Sequence, residues 1–194
     1  MSEGDFEFRI EPWSVEKENK EYETPIFNLL KRRMHLEAEG RTWEGDFYAI
    51  QAPDWINVIP VTPQGEVVLV EQFRYGLLQP TLEIPGGMID PGEEAGEAAS
   101  RELREETGYR AEEMVSLGKV SSNPAILTNF AHLFLAKDCR HVGGFNPDTD
   151  ERINVHRVPR ERFLAMAREG TVHHTIVMAA VARLLLYEAE QGVL

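Results

Sequence analysis

The chain is 194 residues long, 42% hydrophobic and 27% charged, which fits one soluble globular domain, or one domain with a modest extension, and is ample to bury a core. Its formal charge of -13 argues against an extended nucleic-acid surface, where lysine and arginine must neutralise phosphates, yet is compatible with a nucleotide whose charge is met locally by metal ions. No stretch approaches the ~18–20 uninterrupted apolar residues of a membrane span, MSEGDFEF lacks a secretory signal pattern, and Cys139 stands alone, so a cytoplasmic protein without an internal disulfide is expected.

Residues 1–50 form a first region, expected as a β extension of the main domain at 51–194. Phe6 to Ile10 and Ile26 to Leu36 have apolar or alternating character, and the polar run Glu16 to Glu23 between them reads as a hairpin loop or exposed turn. Lys31, Arg32 and Arg33 read as a solvated strand edge, and Arg41 to Gln51 as a further strand. The region is too small for its own core and is expected to pack on the main domain or on a second subunit. Trp13, Trp43 and Trp55 are each either packing residues or base-stacking platforms.

From Trp55 onward, Ile56 to Val61 and Glu66 to Phe73 are β-rich runs joined by Thr62-Pro63-Gln64-Gly65, a pattern that predicts a hairpin. Arg74 follows, either an exposed strand-end arginine or a two-pronged clamp for a phosphate. Thr81 to Pro85 is a short strand leading into Gly86-Gly87, where two glycines allow unusual backbone angles and leave a carbonyl unobstructed.

Asp90, Pro91 and Gly92 form a turn, Glu93 and Glu94 suit the positive end of a helix, and Gly108 stops that helix after Thr107. Spacing of i, i+3 and i+4 places Glu102, Glu105 and Glu106 within about a third of the helix circumference, on the side of Ala95, Ala98 and Ala99. Neighbouring carboxylates repel, and burying one is costly without compensation. A hard divalent cation such as Mg²⁺, which takes oxygen ligands and retains positions for water and phosphate, relieves that repulsion. The plain alternative is a solvated helix laced with pairs such as Glu97 with Arg101.

Beyond the helix, Met114 to Val120 and Ala131 to Ala136 read as strands, separated by the loop Ser121-Ser122-Asn123-Pro124. Lys137 to Glu151 is a long polar loop holding Gly143-Gly144, Asp148, Asp150 and Glu151, and Ile153 to Val158 returns as a strand. One helix starts at Pro159 and ends at Gly170; Thr175 to Glu190 is a second, largely buried one. His173 and His174 read as surface or helix-start residues, and His35, His132, His141 and His156 show no ligand spacing. Strands interspersed with helices predict a mixed α/β domain.

Gly87, Glu93 and Arg101-Glu102-Leu103-Arg104-Glu105-Glu106-Thr107-Gly108-Tyr109 match every specified position of GX5EX7REUXEEXGU, the Nudix box, with U a bulky apolar residue. The chain therefore resembles the Nudix hydrolases over residues 55 to 190. The resemblance implies an α/β/α sandwich with a mixed sheet and hydrolysis of a nucleoside diphosphate linked to another moiety, with Mg²⁺ or Mn²⁺. It assigns Glu102 and Glu106 as principal metal ligands, Glu105 as a supporting one, and the backbone carbonyl of Gly86 as a further ligand. Arg101 is cast as an organiser of Glu93 and Glu105.

Resemblance to the ADP-ribose pyrophosphatase branch rests on Arg74 within VEQFRYG, on Glu83 before the box, and on Pro124 sixteen residues beyond Gly108. It implies that Arg74 contacts phosphate, that Glu83 and Pro124 belong to the substrate site, and that Glu151 activates water, with Asp150 and Asp148 as neighbouring substitutes. It also implies a homodimer in which N-terminal strands help cover the base. ADP-ribose is the first substrate expected; GDP-mannose, ADP-glucose, oxidised nucleotides, and a sensor that binds ADP-ribose without cleaving it are the alternatives.

Overall fold

The computed structural model describes residues 9–146 and 152–192. They divide into two compact units. The first comprises the described residues up to Ala52 together with Asn123–Thr128, and the second Pro53–Ser122 and the described residues from Asn129 onward.

In the first unit, β1 (Ser14–Glu23), β2 (Asn28–Ala38) and β3 (Arg41–Gln51) form an antiparallel sheet in the order β1-β2-β3. The polar run Glu16 to Glu23, expected as a loop or turn, is thus a strand. Its side chains are exposed throughout, so the usual apolar alternation is missing, and backbone pairing with β2 defines it instead. The basic cluster is likewise not at an edge: Lys31, Arg32 and Arg33 lie on the central strand. Arg32 Nε meets Glu18 at 2.6 Å and Lys31 Nζ meets Asp46 at 2.9 Å. Solvent screens cross-strand pairs of this kind, so they fix register more than they add stability. Asn123–Thr128 adds to β3 through Ile50 N–H to the Ile126 carbonyl and Thr128 N–H to the Ile50 carbonyl.

The second unit is built on two sheets. β4 (Trp55–Pro60), β7 (Gly86–Met88), β9 (Glu113–Val120) and β10 (Ala131–Lys137) form a mixed sheet in the order β7-β4-β10-β9, with β10 parallel to β4. β5 (Glu66–Arg74), β6 (Gln79–Glu83) and β12 (Asn154–Pro159) form an antiparallel sheet in the order β12-β5-β6. The expected hairpin of β4 with β5 does not form. Thr62 to Gly65 makes the turn, but the strands meet only at a Val61/Val67 bridge, because β7 and β10 occupy the two edges of β4. Two short strands, β8 (Tyr109–Arg110) and β11 (Arg140–His141), pair within what read as loop sequence.

Among the described residues, three helices cover these sheets: α1 (Ala95–Thr107), α2 (Arg160–Glu169) and α3 (Thr175–Glu190). Alternation along the strands assigns the two faces. Ile56, Val58, Val68, Phe134 and Ala136 pack with Ala98, Ala99 and Leu103 of α1, while Ile59, Val67, Leu69, Leu133 and Leu135 pack with Phe163 of α2 and Val177, Ala180 and Leu184 of α3. The result is the mixed α/β layering expected, with α1 and the α2/α3 pair on opposite sides of the strands. Leu103 is fully buried, which stabilises α1 on the sheet by roughly 1.5–3 kcal/mol. Gly108, at φ 73°, ends α1 in the left-handed conformation and donates its N–H to the Arg104 carbonyl. No helix among the described residues is long and apolar enough to cross a membrane.

Candidate active site

Two forces converge where β7 meets α1. β7 is tied to β4 through Asn57 opposite Gly86 and Ile56 opposite Gly87, while the small Ala98 and Ala99 let α1 sit close to the same strands. The double glycine is therefore held against the helix face that carries the carboxylates. Glu106 is buried, and its Oε2 accepts the Gly86 N–H at 2.9 Å. A Cβ on Gly87 would overlap the carboxylate of Glu102, and one on Gly86 would overlap the Asn57 side chain and the Ile56 carbonyl. The absence of both side chains is what lets backbone and acidic helix approach.

Arg101 ties the site together. Its Nε donates to Glu93 Oε1 at 2.9 Å and its Nη2 to Glu93 Oε2 at 2.9 Å. Nη1 donates to Glu102 Oε1 at 2.7 Å and to Glu105 Oε2 at 3.2 Å, and Nη2 also reaches the Met88 carbonyl at 3.1 Å. Glu93 in turn accepts the Asp90 N–H, closing the turn ahead of α1. Hydrogen bonding from Arg101 holds the Glu93 carboxyl below its ordinary range, and the same bond leads the causes that push the Arg101 guanidinium up. Glu105 is the most open of these carboxylates, 40% exposed against 15% for Glu102 and 16% for Glu93. The carboxylate face thus runs from buried Glu106 to half-open Glu105.

A second constellation lies three residues upstream of Gly86. Glu83 is fully buried. It receives Arg74 as a two-pronged pair, Nε to Oε1 at 2.9 Å and Nη2 to Oε2 at 2.8 Å, and the Thr81 hydroxyl donates to Oε1 at 2.6 Å. Burial pushes the Glu83 carboxyl up, but the Arg74 and Thr81 hydrogen bonds and the Arg74 charge outweigh it and hold the group below its ordinary range. His174, read from sequence as a surface or helix-start residue, is partly buried beside this pair, with Nδ1 3.4 Å from Glu83 Oε2. It does occupy the N-cap position of α3. Its place beside Glu83 was not legible because β6 and α3 meet only in the folded chain.

The structure thus gathers Gly86, Arg101, Glu102, Glu105 and Glu106 in one place and joins Arg74 to Glu83. Pro124 is exposed and belongs to the unit of the N-terminal sheet. Glu151, Asp150 and Asp148 lie outside the described residues. Histidines without ligand spacing in sequence nonetheless find carboxylates in space: His132 meets Asp54 at 2.9 Å and His156 meets Glu71 at 2.8 Å. Glu16, His35 and Glu44, on β1, β2 and β3 of the first unit, form a group whose ligand atoms lie within 4.8 Å of one another. Cys139 is buried and packed beside Ala136, and burial pushes its thiol up to about 12.

This α/β/α frame, with a carboxylate helix clamped under a glycine pair, is that of a hydrolase acting on a phosphoanhydride, as its family and relatives show. The chain belongs to the Nudix family: the NUDIX domain model matches residues 53–179. An ADP-ribose pyrophosphatase of Bacillus subtilis (strain 168) is 32% identical over 144 residues, 74% of this chain and 78% of the relative. A methanol dehydrogenase activator of Bacillus methanolicus is 31% identical over 141 residues, 72% of this chain and 76% of the relative. The crystal structure of an ADP compounds hydrolase superposes with a TM-score of 0.82, covering 97% of this chain and 100% of that one at 19% identity, a likeness of fold.

Proposed function

We propose that this protein hydrolyses the diphosphate of a nucleoside diphosphate sugar, ADP-ribose first, to a nucleoside monophosphate and a sugar phosphate, in a reaction that requires Mg²⁺ or, in its place, Mn²⁺. The observation that carries this reading is the burial of Glu106 against the Gly86 amide, with Glu102 filling the space that a side chain on Gly87 would take. Such a donor set suits a hard cation: oxygen ligands only, graded from buried to open, beside the half-buried glycine backbone. Glu102, Glu105 and Glu106, with the Gly86 carbonyl, would hold it. The chemistry a divalent cation would supply there is polarisation of the diphosphate and a lower pKa for bound water.

The chain's own groups supply the rest. Arg101 keeps Glu93, Glu102 and Glu105 in register, so that removing it would leave three carboxylates to repel one another. Arg74, fixed by Glu83, presents a guanidinium for phosphate. Glu151, or its neighbours Asp150 and Asp148, is assigned to orient and deprotonate the attacking water. The N-terminal unit, residues 1–50, serves as a dimerisation element, and Pro124 belongs to the substrate site. The substrate choice follows the Bacillus subtilis pyrophosphatase, and a cytoplasmic location fits the chain's composition.

The experiment is a panel assay of purified protein with Mg²⁺ or Mn²⁺ against ADP-ribose, ADP-glucose, GDP-mannose, dinucleotides and oxidised triphosphates, with products identified by mass. Preference for a nucleotide sugar is expected. Preference for an oxidised triphosphate would replace this reading with nucleotide sanitation, and tight binding of ADP-ribose without turnover would replace it with a sensor.

A further inference from the structure

His174 stands beside the Arg74–Glu83 pair with a buried ring nitrogen that the pair does not satisfy. Its Nδ1 is buried and makes no hydrogen bond among the described residues, yet it stands 3.4 Å from Glu83 Oε2, the oxygen that Arg74 Nη2 binds at 2.8 Å. A buried ring nitrogen without a hydrogen bond costs free energy, and this one stands close to a carboxylate oxygen that Arg74 already binds.

We infer that His174 is a positioning residue for Arg74, acting through the buried Glu83 carboxylate: neutral, it leaves Oε2 to Nη2 of the guanidinium fork, and protonated, it draws Oε2 away and loosens Arg74. The charged groups that face it are Glu83 on β6 and Arg74 on β5, with His173 beside it on its own segment. Burial disfavours the imidazolium, as do Arg74 and His173, while Glu83 favours it, and the balance holds His174 below its ordinary range. The N-terminus of α3, where His174 caps, adds its own positive end to that balance. At neutral pH the fork is therefore intact, and it weakens as pH falls through the His174 midpoint. Geometry supplies the link from there to substrate: an arginine pinned by two parallel bonds is preorganised for a phosphate, and one that shares its partner is not. That last step rests on the phosphate role proposed for Arg74; the coupling of His174 to Arg74 does not.

The test uses His174→Asn in the full chain. Asparagine places an amide near the position of Nδ1, suits a helix N-cap, and does not titrate in the relevant range. In wild-type protein, the Arg74 Nε–Hε resonance, followed by NMR from pH 8 to pH 5, should shift with the same midpoint as the His174 ring, and in His174→Asn it should stay fixed. In parallel, KM for ADP-ribose should rise toward acid in the wild type, on the order of threefold or more over the titration, and lose that rise in His174→Asn while kcat follows the same pH course in both. An Arg74 resonance that stays fixed in the wild type, or that moves equally in His174→Asn, overturns the inference, and an unchanged acid limb of KM in the variant overturns its link to substrate. Failure of the wild type to cleave any nucleotide sugar would instead remove the proposed function, with the NMR comparison still deciding the coupling.

Discussion

Gly87 lies against Glu102 so closely that a single added methyl group would overlap the carboxylate. The overlap falls on the end of a flexible side chain, so the fold can absorb it but the position of Glu102 cannot. Gly87→Ala is therefore expected to keep its Tm within about 4 °C, the shift for roughly 1 kcal/mol in a domain of this size, while turnover falls on the order of 100-fold or more, about 2.7 kcal/mol of barrier. Gly86→Ala meets backbone, at the Ile56 carbonyl, and should destabilise the fold itself by roughly 1–3 kcal/mol. Thermal melts and single-substrate kinetics on the two variants separate these effects.

Glu106→Gln retains an amide oxygen for the Gly86 N–H, while the charge is lost and the other carboxylate oxygen becomes an NH2 donor. Folding should survive, and turnover should fall on the order of 100-fold or more, with the divalent-metal concentration needed for half-maximal rate rising. Near wild-type rates would remove Glu106 from the metal site.

Arg101→Lys keeps one positive charge but cannot span Glu93, Glu102, Glu105 and the Met88 carbonyl together. A loss of about 10–100-fold in turnover is expected, typical of groups that orient ligands from behind, with a small change in Tm. Full activity in the lysine variant would show that charge alone suffices.

Glu83 gives the clearest pH signature. Its carboxyl lies below the ordinary value of 4.5 when folded, so the stability it contributes is present above the unfolded-state pKa and is lost as pH falls through the lower, folded one. The Tm of wild-type protein should therefore decline on acidification below about pH 4.5. Arg74→Met leaves the buried carboxylate without its fork. At pH 7 the loss should be on the order of 1–3 kcal/mol, less than for a fully enclosed pair because the guanidinium is 39% exposed. The penalty should shrink as pH falls and Glu83 takes a proton. Melting curves from pH 3.5 to pH 8 check the sign.

Most of the motif helix was legible because its signals are local. Gly108 stops α1 where expected, and the i, i+3, i+4 spacing puts Glu102, Glu105 and Glu106 on the face that meets β7. α2 and α3 were readable for the same reason, from Pro159, Gly170 and a continuous apolar face. What failed depended on partners distant in sequence. The turn at Thr62–Gly65 was readable, but whether β4 pairs with β5 was decided by β7 and β10. The strand β1 carries no apolar face, so nothing in its side chains announced it. His174 gained its place only when α3 docked beside Glu83, and no spacing rule connects those positions.

The most direct measurement is product analysis by mass spectrometry after incubation of ADP-ribose with the protein in ¹⁸O-labelled water, with Mg²⁺ present or chelated. The expected result is AMP and ribose phosphate, one of the two carrying a single ¹⁸O, formed with Mg²⁺ and not after chelation. Recovery of unlabelled, intact ADP-ribose under saturating Mg²⁺ or Mn²⁺, or equal turnover with the metal chelated, would contradict a metal-dependent nucleotide-sugar pyrophosphatase.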